Sequence, residues 1–321
     1  MREVANKNAA LILAFRRVNQ IEKIIDSLVN GGIKKLYVSI DGPRNTVDQN
    51  EQILLLDIIA RNRDRFTKVK IQNFASNLGI GEAVIRGLDW FFENEPEGIV
   101  IEDDLEFGVD FIDFAFEGLE KYRNDSEVWM ICGTNPFDSD LKSAKTLWTT
   151  YTMIWGWASW RYKWEEMRRN LISTPLPRSA LTLKEINYWK VGAKRVLSGK
   201  VDTWDTPLAA ASHFIPKYCA LPPHNLVSNQ GFGEKSTNTR SLEFPLGLPI
   251  DKLPPNWIWE EDRVISALTT DYLINAKVFH INFKHIFIPI YGKILDKIRF
   301  KKLRKNRPLI ERLSLRNREL S

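Results

Sequence analysis

Cysteine is scarce in this sequence. Cys132 and Cys219 are the only two in 321 residues, they lie far apart, and no CxxC pair is present. A disulfide-stapled domain needs several pairs, and a structural zinc site needs closely spaced ligands. The sequence therefore excludes a disulfide framework and a zinc site of that kind, and a reducing, cytoplasmic setting fits best.

Long apolar runs are also missing. The polar start MREVANKN leads into AALILAF, which at seven residues is too short for a signal-peptide core or a membrane span. We therefore expect no segment of this chain to cross a membrane. Its 321 residues, 44% of them hydrophobic, suffice for a substantial core in one large domain or two packed halves.

Basic charge is lacking over most of the chain, although the formal net charge is +6. The tail from Lys293 to Ser321 holds eleven Lys or Arg and three acidic residues, a local net charge of +8, which leaves −2 for residues 1–292. We therefore expect no nucleic acid among the partners.

Strand-like and helix-like patterns alternate through the first 135 residues. AALILAF predicts a strand buried on both faces, and residues 18–30 predict an amphipathic helix that ends at Gly31. Further strands are predicted at LYVSID, VKIQNF, GIVIEDD and VWMICGT. This repetition indicates an α/β fold: a mostly parallel, Rossmann-like sheet with helices on both faces.

The fourth predicted strand ends on three adjacent acids, Glu102, Asp103 and Asp104. Ligands bind at the carboxyl ends of strands in such sheets. Adjacent carboxylates repel one another, and a hard divalent ion, Mn or Mg, would compensate them and favour a diphosphate as co-ligand. The alternative is a solvated loop in which Asp103 or Asp104 caps the next helix.

The segment GIVIEDDLEFGVDFIDFAFEGLEKYRND resembles the region of the DXD-type motif in N-acetylglucosaminyltransferase I and its bacterial relatives, which are nucleotide-sugar glycosyltransferases of the GT-A fold. Further segments resemble the same family in the same order, within residues 9–239: ILAFRRVNQIEKIIDSL, LYVSIDG, NLGIGEAVIRGLDWFF, WGWASW, TWDTPLAAA and NLVSNQGFG. The resemblance implies a GT-A type sheet followed by an irregular, acceptor-side half.

The resemblance also implies donor-side roles. Asp104 matches the metal ligand, with Glu102 and Asp103 placed for the donor ribose and for contacts around that ligand. Asp41 matches an acid that contacts the uracil ring, and Arg17 a basic residue beside the nucleotide. A turn-forming Asp41 and a surface Arg17 are the structural alternatives.

Two more residues, Asn77 and Gly79, are candidates to line the donor site, although a simple turn explains them nearly as well.

Asp205 in TWDTPL is the candidate catalytic base, because the family carries its base in a Trp-Asp-Asp segment at this place. Helix capping is the alternative. If Pro207 is the first helical residue, Thr206 is the cap and Asp205 is free.

Aromatic residues cluster just before this segment. Trp155 and Trp157 flank Gly156 in the family-like WGWASW and are expected to shape the acceptor pocket. Trp160 and Trp164 lie four residues apart and are expected to pack in the core.

The second half also contains a glycine-rich segment, SNQGFGEKSTNTR, which is either a surface loop or a lid over bound donor. Bacterial relatives often carry a histidine near its end, where Asn238 stands here. In the tail, Ile294, Leu295, Ile298 and Leu303 can share a helical face opposite a basic face. Such a helix either lies on an anionic membrane or packs back on the body.

Together these features predict a metal-dependent, inverting glycosyltransferase that moves a sugar from a UDP-linked donor to a glycan or lipid-linked glycan acceptor. The expected parts are a nucleotide-sugar-binding half at 1–135, an acceptor-side half at 136–242, a connector and closing segment at 243–292, and a basic tail at 293–321. We expect no counterpart of the N-terminal membrane anchor that the eukaryotic relatives carry, which favours a bacterial, cytoplasmic enzyme of surface-glycan synthesis. The alternative is a non-catalytic carbohydrate-binding or scaffold protein that retains the fold.

Overall fold

The computed structural model describes residues 8–137, 143–173, 181–215, 217–231, 247–282 and 284–285. Most of the glycine-rich segment, including Asn238, and the whole basic tail lie outside the described residues. The predictions made for them therefore stay predictions.

Ten strands lie within the described residues. In chain order they are β1 (Ala9–Ala14), β2 (Lys35–Ile40), β3 (Lys68–Asn73), β4 (Glu97–Glu102), β5 (Leu105–Phe107), β6 (Val128–Cys132), β7 (Leu147–Thr149), β8 (Trp157–Trp160), β9 (Tyr218–Leu221) and β10 (Val227–Asn229). Eight of them form one sheet in the order β3-β2-β1-β4-β8-β6-β9-β7. Only β7 and β8 run against the common direction, so the sheet is mostly parallel.

Eight α-helices accompany these strands in the described part of the chain. They are α1 (Val18–Asn30), α2 (Thr46–Arg61), α3 (Ile80–Asn94), α4 (Val109–Lys121), α5 (Arg161–Ser173), α6 (Leu183–Leu197), α7 (Asp205–Phe214) and α8 (Arg263–Leu273). A 3₁₀ turn follows α2 (Arg63–Arg65), and a π-helical turn follows α8 (Ile274–Val278). No helix among the described residues is long and apolar enough to cross a membrane.

The sheet is buried on both faces because successive strand side chains point to opposite sides. In β1, Ala10 and Ile12 join the core covered by α1, α2 and α4, whereas Leu11 and Leu13 join the core covered by α3 and α5. The continuous apolar run AALILA thus serves two hydrophobic cores. The predicted α/β class, with helices on both faces, is confirmed.

Helix α1 begins and ends where its apolar periodicity predicts. Gly31 lies so close to α4 that a Cβ there would be 2.1 Å from Ile112 Cδ1. Gly32 then takes a left-handed conformation, with φ 81°, that favours glycine. Gly31 therefore allows α4 to pack closely against the end of α1, and Gly32 provides the left-handed residue that follows the helix.

The segment WASW differs from its prediction, because it forms β8, an antiparallel strand between β4 and β6. Trp157 is 1% exposed and packs in the core near Phe92 and Trp204, with ring centroids 6.5 Å and 6.3 Å away. Its predicted place in an acceptor pocket is therefore corrected. Trp160 and Trp164 are buried as predicted.

A second, two-stranded sheet was not predicted. It pairs β5, which directly follows the acidic triplet, with β10 in antiparallel register, so that Leu105 lies opposite Asn229. This pairing brings residues 229–231 over the triplet.

Candidate active-site cleft

A cleft of about 2130 Å³ opens at the carboxyl ends of β1, β2 and β4, and α6 and α7 form its opposite wall. Nine of the ten residues predicted to form the site line this cleft: Arg17, Asp41, Asn77, Gly79, Glu102, Asp103, Asp104, Trp155 and Asp205. Trp157 is the exception, since β8 carries it into the core.

Asp103 fastens the loop that follows β1. Its Oδ2 accepts hydrogen bonds from the backbone N–H groups of Phe15, at 2.8 Å, and Arg17, at 3.4 Å. Its own N–H donates to Leu13 O at 3.0 Å, which continues the β1–β4 pairing. Asp103 therefore fixes where the Arg17 side chain leaves the backbone.

The two carboxylate oxygens of Asp104 differ in their contacts. Arg17 Nη1 forms an ion pair with its Oδ2 and lies 3.8 Å from Asp103 Oδ1. Asp104 Oδ1 is buried and has no hydrogen-bond partner within the described part of the chain. The main chain is held from the other side, where Gln230 N–H donates to Asp104 O at 2.8 Å. A Cβ at Gly231 would lie 2.2 Å from Asp104 Oδ2. The backbone can therefore pass this close to the Asp104 side chain only because residue 231 is glycine.

The buried Asp104 Oδ1 is the test of whether a metal ion fits here. A buried polar atom without a partner costs about 1–3 kcal/mol and calls for an explanation. A divalent ion would satisfy this oxygen, and Mg²⁺ characteristically takes one or two carboxylates together with water and substrate phosphates. No cluster of three or more His, Cys, Asp or Glu suited to a metal occurs among the described residues. The residues therefore fit an ion that Asp104 holds and a phosphate ligand completes.

Glu102 lies deeper on the same edge. Burial raises its pKa to about 8; the negative charges of Asp103 and Asp205 add to this shift, and Arg17 opposes it. This shift favours the protonated form of Glu102 at neutral pH. A neutral carboxyl can donate a hydrogen bond to a ligand hydroxyl, which a carboxylate cannot.

Asp41 organises the turn before α3. Its Oδ1 accepts from Gly42 N and Leu78 N, both at 2.8 Å, and its Oδ2 accepts from Asn77 Nδ2 at 2.8 Å and Gly79 N at 3.2 Å. Burial raises the pKa of Asp41, and the backbone hydrogen bonds oppose that shift. Both oxygens of this carboxylate thus accept hydrogen bonds that hold the loops after β2 and before α3.

Sequence reasoning missed Asp202. Gly79 has φ 84°, a left-handed conformation, and a Cβ there would lie 2.2 Å from Asp202 Oδ2. Asp202 Oδ1 accepts from Gly81 N at 3.1 Å, in the first turn of α3, where a carboxylate is favourable. The signal in the sequence was VDTWDT, in which Asp202 stands three residues before Asp205.

Asp205 begins α7, two residues before Pro207, so the expectation that Thr206 caps this helix is wrong. Asp205 Oδ1 accepts from Thr203 Oγ1 and Thr206 N, both at 2.6 Å. Pro207 is tolerated because the first N–H groups of a helix have no intrahelical partner. Asp205 Oδ2 makes no hydrogen bond with any residue that the structure describes, which leaves it available to a ligand in the cleft.

Helix α6 supplies an unpredicted wall of the cleft. Tyr188, Val191, Gly192 and Arg195 recur at helical spacing and line it. Tyr188 packs edge-on against Trp189, with ring centroids 5.0 Å apart. Burial, together with the charge of Asp205, raises the pKa of Tyr188. Two aromatic residues, Tyr188 and Trp189, therefore line the cleft on this wall.

No protein-family model matches the chain, and no curated protein matches it either. It resembles a UDP-glucose pyrophosphorylase in complex with UDP-glucose, at 10% identity and a TM-score of 0.37, over 67% of this chain and 90% of that one. It also resembles a UTP-bound UGPase from Acinetobacter baumannii, at 11% identity and a TM-score of 0.35, over 72% and 89%. HddC from Yersinia pseudotuberculosis, complexed with GMP-PN, is similar at 10% identity and a TM-score of 0.30, over 48% and 77%. Likenesses this distant say nothing of substrate or reaction, so the chemistry of the cleft rests on its own residues.

Proposed function

We propose that the protein is a metal-dependent glycosyltransferase. It transfers a sugar from a nucleotide-sugar donor, UDP-linked, to a glycan or lipid-linked glycan acceptor, with inversion at the transferred carbon. The single observation that carries the proposal is the buried Oδ1 of Asp104, which has no hydrogen-bond partner among the residues that the structure describes, in a cleft that also contains Asp205. The resemblance of the sequence segments to the N-acetylglucosaminyltransferase I family supports the same assignment.

On the donor side, Asp104 would hold the ion, Mn or Mg. When bound, such an ion neutralises the charge that develops on the leaving diphosphate. Arg17 lies beside Asp104 and adds a second cation for the phosphates. Glu102 would contact the donor ribose, and the turn held by Asp41, with Asn77 and Gly79, would border the nucleoside.

On the acceptor side, an inverting transfer needs a base opposite the diphosphate to take the proton from the attacking hydroxyl. Asp205 is proposed for this role. The hydrogen bonds of Thr203 and Thr206 to Oδ1 fix its carboxylate and leave Oδ2 for that proton. Trp155 and Tyr188 would flank the acceptor sugar.

The competing proposal is a non-catalytic carbohydrate-binding or scaffold protein with the same fold. It is favoured by the structural hydrogen bonds that already engage Asp41, Asp103 and Asp205. Donor hydrolysis separates the two proposals. A transferase slowly releases UDP from its donor when Mn²⁺ is present and stops after chelation, whereas a binding protein releases none under either condition.

The donor and its nucleotide are best found by thermal shift over a panel of nucleotide sugars, with Mn²⁺ and with chelator. A ligand that binds the native state at 100 times its Kd adds about 2.7 kcal/mol of stability. We expect UDP-sugars with Mn²⁺ to give the largest shift. Equal shifts with all bases, or none with any, would speak against a nucleotide-sugar enzyme.

The cellular setting is proposed from the sequence alone. A cytoplasmic bacterial enzyme of surface polysaccharide, lipopolysaccharide or protein-linked glycan synthesis would meet lipid-linked acceptors at the inner face of the membrane. The basic tail, residues 293–321, is proposed to hold the enzyme at that surface.

A further inference from the structure

Arg17 and Asp104 form an ion pair at the place where the metal is proposed to bind. The guanidinium Nη1 contacts Asp104 Oδ2 and lies 3.8 Å from Asp103 Oδ1. Both partners are mostly buried, with side-chain exposures of 28% for Arg17 and 16% for Asp104. The guanidinium of Arg17 therefore faces two carboxylates, those of Asp103 and Asp104.

A metal ion on Asp104 would meet this guanidinium. Oδ1, which is buried and has no hydrogen-bond partner among the described residues, belongs to the same carboxylate as Oδ2, which Arg17 contacts. Two cations on one partly buried carboxylate repel each other, and the low local dielectric makes the repulsion stronger than in water. The ion and Arg17 therefore compete for Asp104.

A diphosphate changes this competition. Its oxygens give the guanidinium a bidentate anionic partner and give the ion additional ligands. Both cations are therefore bound more favourably when the diphosphate is present. The backbone of Arg17 stays tied to Asp103 through the 3.4 Å N–H bond, so the guanidinium can turn without a shift of the loop.

We infer that Arg17 couples metal binding to nucleotide binding. In the nucleotide-free protein its guanidinium occupies Asp104 and weakens metal binding; a nucleoside diphosphate draws the guanidinium to its phosphates and admits the ion. The inference rests on the proposed function, because it requires a diphosphate ligand. By linkage, the ion must tighten diphosphate binding by the same factor as the diphosphate tightens metal binding.

The test measures protein-bound Mn²⁺ by equilibrium dialysis of the full-length protein, without UDP and with equal free UDP on both sides. For the wild type we expect UDP to tighten Mn²⁺ binding at least about tenfold, within the usual range of coupling between sites. Arg17→Met keeps an unbranched stem but removes the charge. It should bind Mn²⁺ about tenfold more tightly than wild type without UDP, and UDP should then tighten binding much less.

Arg17→Lys and Arg16→Met are the controls. Arg17→Lys keeps a cation beside Asp104 and should retain weak Mn²⁺ binding without UDP. Arg16 is the adjacent residue on the same loop, and it pairs instead with Glu51 at 3.2 Å and Asp48 at 3.5 Å. Arg16→Met removes the same charge and should leave Mn²⁺ binding close to wild type. Thermal unfolding of each variant verifies that it is folded.

Three outcomes decide the inference. If Arg17→Met binds Mn²⁺ without UDP no better than wild type, or if Arg16→Met gains as much, the inference is overturned. In either case, Mn²⁺-dependent UDP binding by the wild type would leave the proposed function standing. If the wild type binds neither Mn²⁺ nor UDP in any combination, the proposed function fails, and the inference fails with it.

Discussion

The side-chain amide of Asn77 donates a hydrogen bond to Asp41 Oδ2 at 2.8 Å. This bond joins the end of β2 to the turn that leads into α3, across 36 residues of sequence. The same amide donates to Gly42 O at 2.9 Å, so Asn77 closes the turn from both sides. Two residues that the sequence suggested separately for the donor site therefore act together.

Replacement of Asp41 by Ala should destabilise the protein by about 2–3 kcal/mol, because the N–H groups of Leu78 and Gly79 and the amide of Asn77 lose a buried acceptor. Asn77→Ala should cost about 1 kcal/mol, since Asp41 keeps its other donors. Urea unfolding measures both values. Similar losses for the two variants would contradict the central role of Asp41 in this turn.

Asp104→Asn should strongly reduce sugar transfer and Mn²⁺-dependent UDP binding, because a neutral amide oxygen holds a divalent ion more weakly than a carboxylate does, and the proposed ion neutralises the diphosphate. The fold should survive, since Asn keeps an oxygen that can accept a hydrogen bond from Arg17, and Asp104 Oδ1 has no hydrogen-bond partner to lose among the described residues. Turnover and dialysis of Mn²⁺ with UDP are the measurements.

The matched control for Asp104 is Glu106→Gln, which removes an exposed carboxylate two residues further along, in β5. It should leave both measurements unchanged. Near-native turnover of Asp104→Asn in chelator-treated buffer would remove the metal from the mechanism.

Local sequence pattern predicted the strands and helices of residues 1–135 well. The apolar run of β1 and the helical spacing of apolar residues in α1 are both local features of the sequence, so they can be recognised without knowledge of a distant partner. The acidic triplet was placed correctly at the end of β4 for the same reason.

Distant pairings could not be predicted in this way. The strand β8 inserts between β4 and β6, and β10 reaches back to β5 from 120 residues away in sequence; tertiary packing decides both pairings. Trp157 is an example. It stands beside Gly156 in a family-like segment, so the sequence suggests a pocket residue, and only the pairing of β8 with β4 and β6 shows that Trp157 lies in the core. Asp202 was missed because its partner, the start of α3, lies 121 residues away.

Asp205→Asn should lower turnover by about two to four powers of ten, the usual contribution of a general base, while donor binding stays intact. Asn keeps an Oδ1 that can accept from Thr203 and Thr206, so α7 should still begin at the same residue. Turnover and UDP-sugar binding are measured on the same preparation.

Thr203→Val is the matched control for Asp205. It removes only the 2.6 Å hydrogen bond to Oδ1, and we expect a loss of about 1 kcal/mol in stability. Its turnover should fall far less than that of Asp205→Asn. Normal turnover of Asp205→Asn, or a product with retained anomeric configuration, would return Asp205 to a purely structural role.

Lys163 gives a pH-dependent prediction away from the cleft. The side chain is fully buried, and burial lowers its pKa to about 8, with Lys217 adding to the shift. In the unfolded chain a lysine titrates near 10.4, so between about pH 8 and 10.4 the unfolded state binds more protons and stability rises with pH. Relative to Lys163→Met, the wild type should therefore gain up to about 3 kcal/mol across this window. A difference in urea midpoint that does not change with pH would contradict the lowered pKa.

The tail is predicted to bind anionic membranes. Its sequence places Ile294, Leu295 and Ile298 on one helical face and lysines on the other, a pattern typical of helices that lie among lipid headgroups. Each cation near such a surface contributes on the order of 1 kcal/mol. The full-length protein should sediment with vesicles of anionic lipid at low salt and be released as salt rises, and truncation after Pro289 should abolish the binding.

The competing expectation is that the apolar side of the tail packs on the body, and α8 offers it a surface. Val264, Ile265, Leu268 and Tyr272 are each more than half exposed on this helix. If the tail covered them, Leu268→Glu would disturb that packing, and both this substitution and truncation would raise the binding of a hydrophobic dye. If the membrane is the partner, Leu268→Glu should leave sedimentation unchanged, and truncation should abolish sedimentation without raising dye binding. Equal vesicle binding by the full-length and truncated proteins would refute the membrane prediction, because the remaining 289 residues carry no comparable basic excess.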